Sequence, residues 1–349
     1  MAESTHLQPP PTPVQRLIRL LGTEQKDIGY ILLFATITGL ISLTLPLGVQ
    51  AVFNLVSSGL LFSSVYVMIG LVIIGVIVSG LLNIVQITLV EIIQQRIFAK
   101  TAFEYTYRLP RIKPEAMDGH YPPELMNRFF DVLTLQKGMS KLLIDLPTAV
   151  MQILFGIILL SFYHPVFLGF GLFTLIVIYL VTRLFGPEGL RTSIKESSDK
   201  YKVVAWLEQY ALKVSEQRAA ARDGLQEPGA DSDKSMSPID QIDKKLVSYI
   251  TDRNDHFSIL KRFYYTSVGF STLITGGLLI IGTTLVVGRQ LALGQFVASE
   301  LVIVLIAAAV NKLISSIDTV FDMLTGVEKI AAVTDLPIDT EDTDDVIHA

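Results

Sequence analysis

GRQLALGQFVASELVIVLIAAAVNKLISSIDTVFDMLTGVEKIAAVTDLP, residues 288–337, decides the architecture. Its apolar residues repeat at helical spacing with no proline before Pro337, so it reads as one helix. A bilayer takes only about 20 apolar residues of helix. The stretch is more than twice that, so its second half must stand in water. A membrane helix that continues into solvent is the motif the rest of the chain repeats.

Composition agrees. The chain has 349 residues, 50% hydrophobic and 17% charged, with a mean hydropathy of +0.51, which is the profile of a polytopic membrane protein. There is no cysteine, which excludes disulfides, thiolate metal sites and cysteine nucleophiles. The formal charge of −5 comes from the end of the chain. Asp335, Asp339, Glu341, Asp342, Asp344 and Asp345 have no Lys or Arg among them, and removing these six from 33 acids leaves 27 against 28 bases. The body is near neutral, and residues 335–349 form an acidic tail expected to be disordered.

From the start of the chain, residues 1–13 are a polar, proline-rich leader, expected to be disordered and lacking the basic start and cleavage site of a signal peptide. Residues 14–24 place Val14, Leu17, Ile18 and Leu21 on one stripe with Arg16 and Arg19 turned away, the pattern of an elbow helix in the membrane interface or of an ordinary amphipathic surface helix. Residues 25–334 then hold six spans. The first, 28–56, carries Pro46 where a kink is expected. The second, 65–90, stays helical in composition to Tyr107. The third and fourth, 146–163 and 165–184, meet in a tight turn. The fifth is 265–287, and the sixth is the opening stretch. Residues 219–237, AAARDGLQEPGADSDKSMS, read as a flexible insert in the second long polar segment. The predicted fold class is an all-α membrane protein with six transmembrane helices and long extensions on one side.

Basic residues set the orientation. The segment between spans two and three carries Arg96, Lys100, Arg108, Arg111, Lys113, Arg128, Lys137 and Lys141. The one between spans four and five is still more basic, from Arg183 to Arg262, and the three opposite turns offer only Arg289. The positive-inside rule puts both long segments and both termini in the cytoplasm, for a multi-pass protein of the inner (plasma) membrane in contact with lipid.

Polar groups at membrane depth are costly and therefore informative. At roughly 100° per residue, Glu300, Ala307, Asn311, Asp318 and Asp322 share one face of the sixth helix, with Lys312 off that face and expected to reach the inner interface. Asn83, Gln86 and Gln152 read as interhelical hydrogen-bond partners. No catalytic constellation is found, and His6, His120, His164, His256 and His348 lack metal-ligand spacing, so neither a metal site nor an enzyme is expected. The bases are explained by topology, which gives nucleic-acid binding no support.

IFAKTAFEYTYRLPRI (97–112), YPPELMNRFFDVLTLQKGMSKLLIDLP (121–147), GIILLSFYHPVFLGFGLF (156–173), ESSDKYKVVAWLEQ (196–209), LALGQFVASELVIVL (291–305) and VEKIAAVTDLP (327–337) carry a resemblance. In order and spacing over residues 16–337, the chain resembles the transmembrane domain of exporter-type ATP-binding cassette (ABC) transporters, close to the type I secretion and bacteriocin exporters. In that family each cytoplasmic excursion ends in a short coupling helix seated on a nucleotide-binding domain. By position the resemblance carries the first contact onto Pro122, Pro123, Glu124, Asn127, Arg128 and Phe129, and the second onto Asp199, Tyr201, Lys202, Trp206 and Glu208. Two prolines suit a helix start, and the planar fork of Arg128 suits an interface. Trp206 reads either as an interface anchor or as packing against its own neighbouring helices.

The resemblance also implies a homodimer in which the Glu300, Ala307, Asn311 and Asp318 face lines a translocation cavity. The competing view has Glu300 solvated near the headgroups and the aspartates on the cytosolic surface. The sequence departs from the family in two respects, the insert at 219–237 and the lack of an ATPase motif. The 349 residues contain no G-x-x-x-x-G-K-[ST], since TGVEK at 325–329 lacks both the leading glycine and the Lys-Ser/Thr pair, and no ABC signature. ATP and magnesium are thus expected on a partner, a separate nucleotide-binding ATPase subunit, and the chain itself is expected to hold no cofactor. Exporters of this type also admit a periplasmic adaptor protein. The expected function is the membrane subunit of a split ABC exporter. The alternative is an ABC-derived six-span scaffold or accessory subunit that moves nothing.

Overall fold

A computed structural model describes residues 11–59, 62–117, 122–222 and 237–339. The leader before residue 11, most of the 219–237 insert and the tail beyond residue 339 lie outside these residues. Among the described residues the chain is helical throughout, its one β feature being the bridge between Ile112 and Ile338. In order the helices are α1 (Pro13–Leu21), α2 (Gln25–Ile41), α3 (Thr44–Ser57), α4 (Phe62–Arg108), α5 (Pro114–Met117), α6 (Pro122–Asn127), α7 (Asp131–Ser140), α8 (Leu146–Tyr163), α9 (Pro165–Arg222), α10 (Pro238–Val287) and α11 (Leu293–Thr334). Among the described residues six stretches are long and apolar enough to cross a membrane: α1 to α3 together, α4, α6 to α8 together, α9, α10 and α11.

The long extensions are real. The 58 residues of α9 make a rod of about 87 Å at 1.5 Å per residue, nearly three bilayer cores end to end. Along α4, Val67, Ile74 and Leu81 are each more than half exposed, tolerable only because the medium around them is lipid.

Two local features differ from the sequence reading. The first span breaks ahead of Pro46 instead of bending at it: α2 ends at Ile41 and α3 starts at Thr44. Pro46 has no N–H for the Ser42 carbonyl and its ring crowds that group, so the interruption falls one turn earlier, where the Ser42 hydroxyl donates to the Gly39 carbonyl at 2.6 Å. In α1 Arg16 is not turned away from the protein. Its side chain is 13% exposed and pairs with Asp335 at 3.0 Å and Glu328 at 3.6 Å, while Leu17 is buried, so the elbow is clamped to the end of α11. Thr12 and Gln15 cap α1 reciprocally, and Pro13 opens it.

Between α7 and α8 residues 141–145 widen into a π turn just ahead of Pro147, which cannot donate to Leu143. The turn aims Asp145 at Lys312 (2.8 Å) and Lys141 at the Thr319 hydroxyl (2.9 Å), binding the α7–α8 junction to α11. Lys312 thus has a partner at the membrane boundary. Within the bilayer Gln86, fully buried, donates to the Ile31 carbonyl at 3.4 Å.

Three apolar clusters hold the rods together. One, on the basic side, joins α1, α2, α4, α7 and the far end of α11 through residues such as Ile93, Leu135 and Met323. A second fills the membrane between α8, α9, α10 and α11 around Ile153, Phe167, Ile274 and Ile303. A third, of Ile259, Leu260, Phe263 and Phe321, lays the α9–α10 pair on the chain's own α11. Close approach depends on glycine at several crossings, those of Gly39 and Gly189 among them. A Cβ on Gly39 would stand 2.7 Å from Met151 Cβ, and one on Gly189 would stand 2.4 Å from the Phe321 ring. Ordinarily Gly→Ala in a helix gains up to about 1 kcal/mol. Here overpacking of about 1–3 kcal/mol outweighs that gain. Gly39→Ala and Gly189→Ala are therefore expected to lower the Tm in detergent, whereas Gly269→Ala, with open space around it, leaves the Tm unchanged or raises it.

Candidate functional site

Beyond the bilayer on the basic side, α6 turns the chain from α5 into α7, and its side chains divide by helical phase. Leu125 is buried, and the Phe129 ring stands edge-on between Phe98 and Tyr105 at 5.3 and 5.5 Å. Pro123, Met126 and Phe130 face outward, Met126 being 48% and Phe130 62% exposed. Glu124 and Arg128 pair at 2.9 Å to the side of that face, both partly buried. Asn127 donates to Glu208, which fastens α6 to the flank of α9.

Of the residues carried over by resemblance, Pro123 belongs to this outer surface, Glu124 and Arg128 lie partly buried beside it, and Phe129 serves the interior. Met126 and Phe130 were not singled out from sequence. The signal was there: in PPELMNRFF, Leu125 and Phe129 are four apart on one face, which leaves Met126 and Phe130, also four apart, on another.

The second set does not sit on a short helix of its own. Asp199, Tyr201, Lys202, Trp206 and Glu208 lie inside continuous α9, and the described helix runs on to Arg222. Tyr201 is buried and donates to Asp131 at 2.6 Å. Trp206 stacks on Tyr210 (5.2 Å, planes 6° apart) and donates to Gln241 of α10 at 3.3 Å, so it packs against its own neighbouring helices. Lys202 pairs with Asp199 at 2.6 Å, and Asp199 also accepts from Ser248 of α10.

Above α6 a polar cavity of about 340 Å³ opens between α7, α9, α10 and α11, lined by Asp131, Glu196, Lys200, Arg253, Asp322 and Thr325 among others. Burial raises the Asp131 carboxyl above the usual carboxylate range, opposed by the Tyr201 hydrogen bond and by Lys200, Lys329 and Arg128. Burial also lowers Lys329, which reaches the Ser198 hydroxyl at 2.8 Å and lies over the Tyr201 ring. Asp322 is pushed up to about 6, first by desolvation and then by the nearby Asp318 charge. Its carboxyl opens into the cavity, whose walls are protein. Arg253 closes the rim through Glu196 at 2.9 Å.

The polar face of α11 meets α10. Asn311 accepts from Ser267, and Asp318 stands 3.5 Å from His256 Nε2, at the limit of hydrogen-bond reach. His256 is 1% exposed; its Nδ1 lies 2.9 Å from the Thr192 hydroxyl, whose own proton goes to the Glu188 and Gly189 carbonyls. The imidazole of α10 thus stands between Thr192 of α9 and Asp318 of α11. The approach of His256, first among the causes, holds Asp318 below the usual range. Ala307 and Glu300 lie higher on the same helix, both partly buried, with one Glu300 carboxylate oxygen shielded and without a protein partner. No group of three or more metal-binding side chains is present among the described residues.

Two outcomes test this geometry. Tyr201→Phe leaves the Asp131 carboxylate buried without its shortest donor, a loss of about 1–3 kcal/mol, read as a lower Tm, with Tyr210→Phe as the silent control. For Asp322 the native carboxyl binds a proton more readily than the unfolded one, whose ordinary value is 3.8. Stability attributable to it therefore falls as pH rises from about 4 to about 6. Asp322→Asn is expected to raise the Tm relative to the parent above pH 6 and to lose that advantage near pH 4, in a melting series across that range.

Comparison with protein-family models gives one match over residues 28–209, described as ABC transporter transmembrane region. No curated protein matches the chain.

Proposed function

Because the chain belongs to the ABC transporter transmembrane family, its match covering residues 28–209 of 349, we propose that it forms the membrane pathway of an exporter driven by ATP hydrolysis on a separate nucleotide-binding subunit. The observation that carries this reading is α6. Short, far from the bilayer and locked to α9 through Asn127–Glu208, it turns Pro123, Met126 and Phe130 outward, with the partly buried Glu124–Arg128 pair at their side. An apolar centre with one ion pair is the composition of a protein interface, where a few anchors supply most of the energy. The 349 residues hold no phosphate-cradling motif, so the ATP-binding step belongs to residues outside them.

In this reading α6 receives a displacement and passes it on by two rigid routes. One runs through Leu125 and Phe129 into α4 and α7, the other through Glu208 into α9. Both converge on α11, by way of Met323 and Leu135 on one side and of Phe321 and His256 on the other. Coupling then means rigid-body movement of the α9–α10 pair against α11. A second copy of the chain would complete the pathway. The basic side is the cytoplasm by the positive-inside rule, and the compartment is the inner (plasma) membrane. An adaptor on the opposite side would have little to grip beyond short turns.

One observation favours the second reading, a non-transporting scaffold. Asn311 and Asp318 are engaged by α10 of the same chain, so at these two positions the polar stripe of α11 is spent on internal bonds. Transport separates the two readings. In proteoliposomes with the copurified ATPase, Met126→Asp and Phe130→Asp are expected to weaken ATPase retention at least tenfold and to abolish stimulated hydrolysis, with a Tm close to the parent's. Unchanged retention and stimulation would sink the α6 assignment. Normal ATPase stimulation without movement of any solute would favour the scaffold.

A further inference from the structure

A cavity of about 350 Å³ lies among α8, α9, α10 and α11, apart from the polar cavity and from α6. Val177 and Val181 of α9, Phe263 and Phe270 of α10, and Ile314 and Phe321 of α11 supply much of its wall, and among the described residues Thr182 and Thr266 are the only polar side chains lining it. Thr266 spends its hydroxyl on the Arg262 carbonyl of its own helix. Water needs two to four polar partners to reside in a cavity, and this wall does not offer them. The volume is more than twice that of the ~150 Å³ apolar cavity that stays dry and takes up benzene. Left empty, its lining forfeits dispersion contacts on every side.

The depth of the cavity identifies the medium beside it. The Asp145–Lys312 pair marks the membrane boundary on α8 and α11, and Arg183 marks it on α9. Val150, at the cavity's edge, is 41% exposed and lies one turn inside that boundary. Val177, Ile178, Val181, Phe270 and Val310 therefore line the cavity at the level of the basic-side leaflet's acyl chains, while Gly186 and Phe321 line its other end, at and beyond headgroup level. At that level Arg183, Lys261 and Arg262 outnumber Glu188, which holds Arg262 only loosely at 4.0 Å with both side chains about half exposed. The local excess is positive.

We propose that this cavity is a lipid-binding site that takes one acyl chain of an anionic phospholipid from the basic-side leaflet, its phosphate held near Arg183 and Arg262. The chain would lie between the α9–α10 pair and α11, against Val177, Phe270 and Val310. The site goes beyond the proposed transport function and does not depend on any ATPase.

Gly186 lines the cavity, and a Cβ at that position would have nothing within 4 Å, so a side chain there grows into the space the acyl chain would use. The full chain is delipidated, offered phosphatidylglycerol or phosphatidylcholine in detergent, and examined by native mass spectrometry and melting. The parent is expected to retain one phosphatidylglycerol per chain, at least fivefold over phosphatidylcholine, and to melt higher with it. Gly186→Leu should lose retention at least fivefold and its Tm should not respond to lipid, while Gly169→Leu, also in open space, behaves as the parent. Arg183→Gln with Arg262→Gln should abolish the preference for phosphatidylglycerol. Equal retention in Gly186→Leu and the parent overturns the cavity as the site. Equal retention of the two lipids by the parent overturns the anionic headgroup. Should Gly186→Leu fail to fold, saturable quenching of Phe263→Trp by brominated-chain phosphatidylglycerol at one lipid per chain supports the site, and quenching that never saturates overturns it.

Discussion

A helix that leaves the bilayer must exchange one packing chemistry for another, and α11 makes the exchange within about two turns. Above Lys312 its buried face is Val302, Ile303, Ile306 and Val310, pressed on α8 and α10 in a medium that gives apolar contact no special advantage. Below it water returns, burial again drives association, and the same helix buries Phe321, Met323, Leu324 and Val327. At the changeover stand the charges that neither medium holds cheaply alone. Asp145 meets Lys312, Lys141 meets Thr319, and Asp318 meets His256. The remaining long helices are positioned against this one junction.

The consequences run outward from it. Phe321 sits in the gap left by Gly189, just after the Pro187 that deprives α9 of a hydrogen bond as it leaves the membrane. The ring thus fixes where α9–α10 lies on α11, and His256 fixes the rotation by satisfying Thr192 on one side and approaching Asp318 on the other. Further out the contact turns polar. The Asp131–Tyr201 and Lys329–Ser198 bonds lie beside a polar cavity that Asp131 lines, and polar bonds next to such a space exchange partners at lower cost than a packed ring does. The same assembly is therefore stiff near the membrane and looser toward α6, which suits a lever loaded at its far end.

How much of this the sequence revealed depends on the range of the interaction. Six spans, long extensions and the basic side were legible because each depends on composition over 20 or more residues, as in 288–337. Pro46 was legible as a disturbance but not as a break at Ser42–Leu43, because hydrogen bonding displaces the effect by four residues. Arg16 looked like a residue facing water because its partners, Glu328 and Asp335, are more than 300 positions away. The stripe from Glu300 to Asp318 was identified as a stripe, but periodicity says nothing of what it faces, and α10 is the neighbour at Asn311 and Asp318. In the same way Phe129 and Tyr201 were found as residues of consequence, yet only tertiary packing distinguishes the inward ring from the outward Met126 and Phe130.

That last distinction bears on how force could enter. A side chain seated between Phe98 and Tyr105 cannot also be an anchor for a partner, because its apolar area is already spent. Met126 and Phe130 still have theirs to bury, and they project from a helix whose inner side is anchored by Leu125 and whose flank is tied to Glu208. A push on them is delivered to rigid contacts on both sides of α6, into α4 and α7 through Phe129 and into α9 through Asn127. Because α9 is continuous from Glu208 back to the Gly189–Phe321 crossing, about 19 residues or roughly 28 Å of helix at 1.5 Å per residue, a displacement at α6 reaches α11 without passing through any loop.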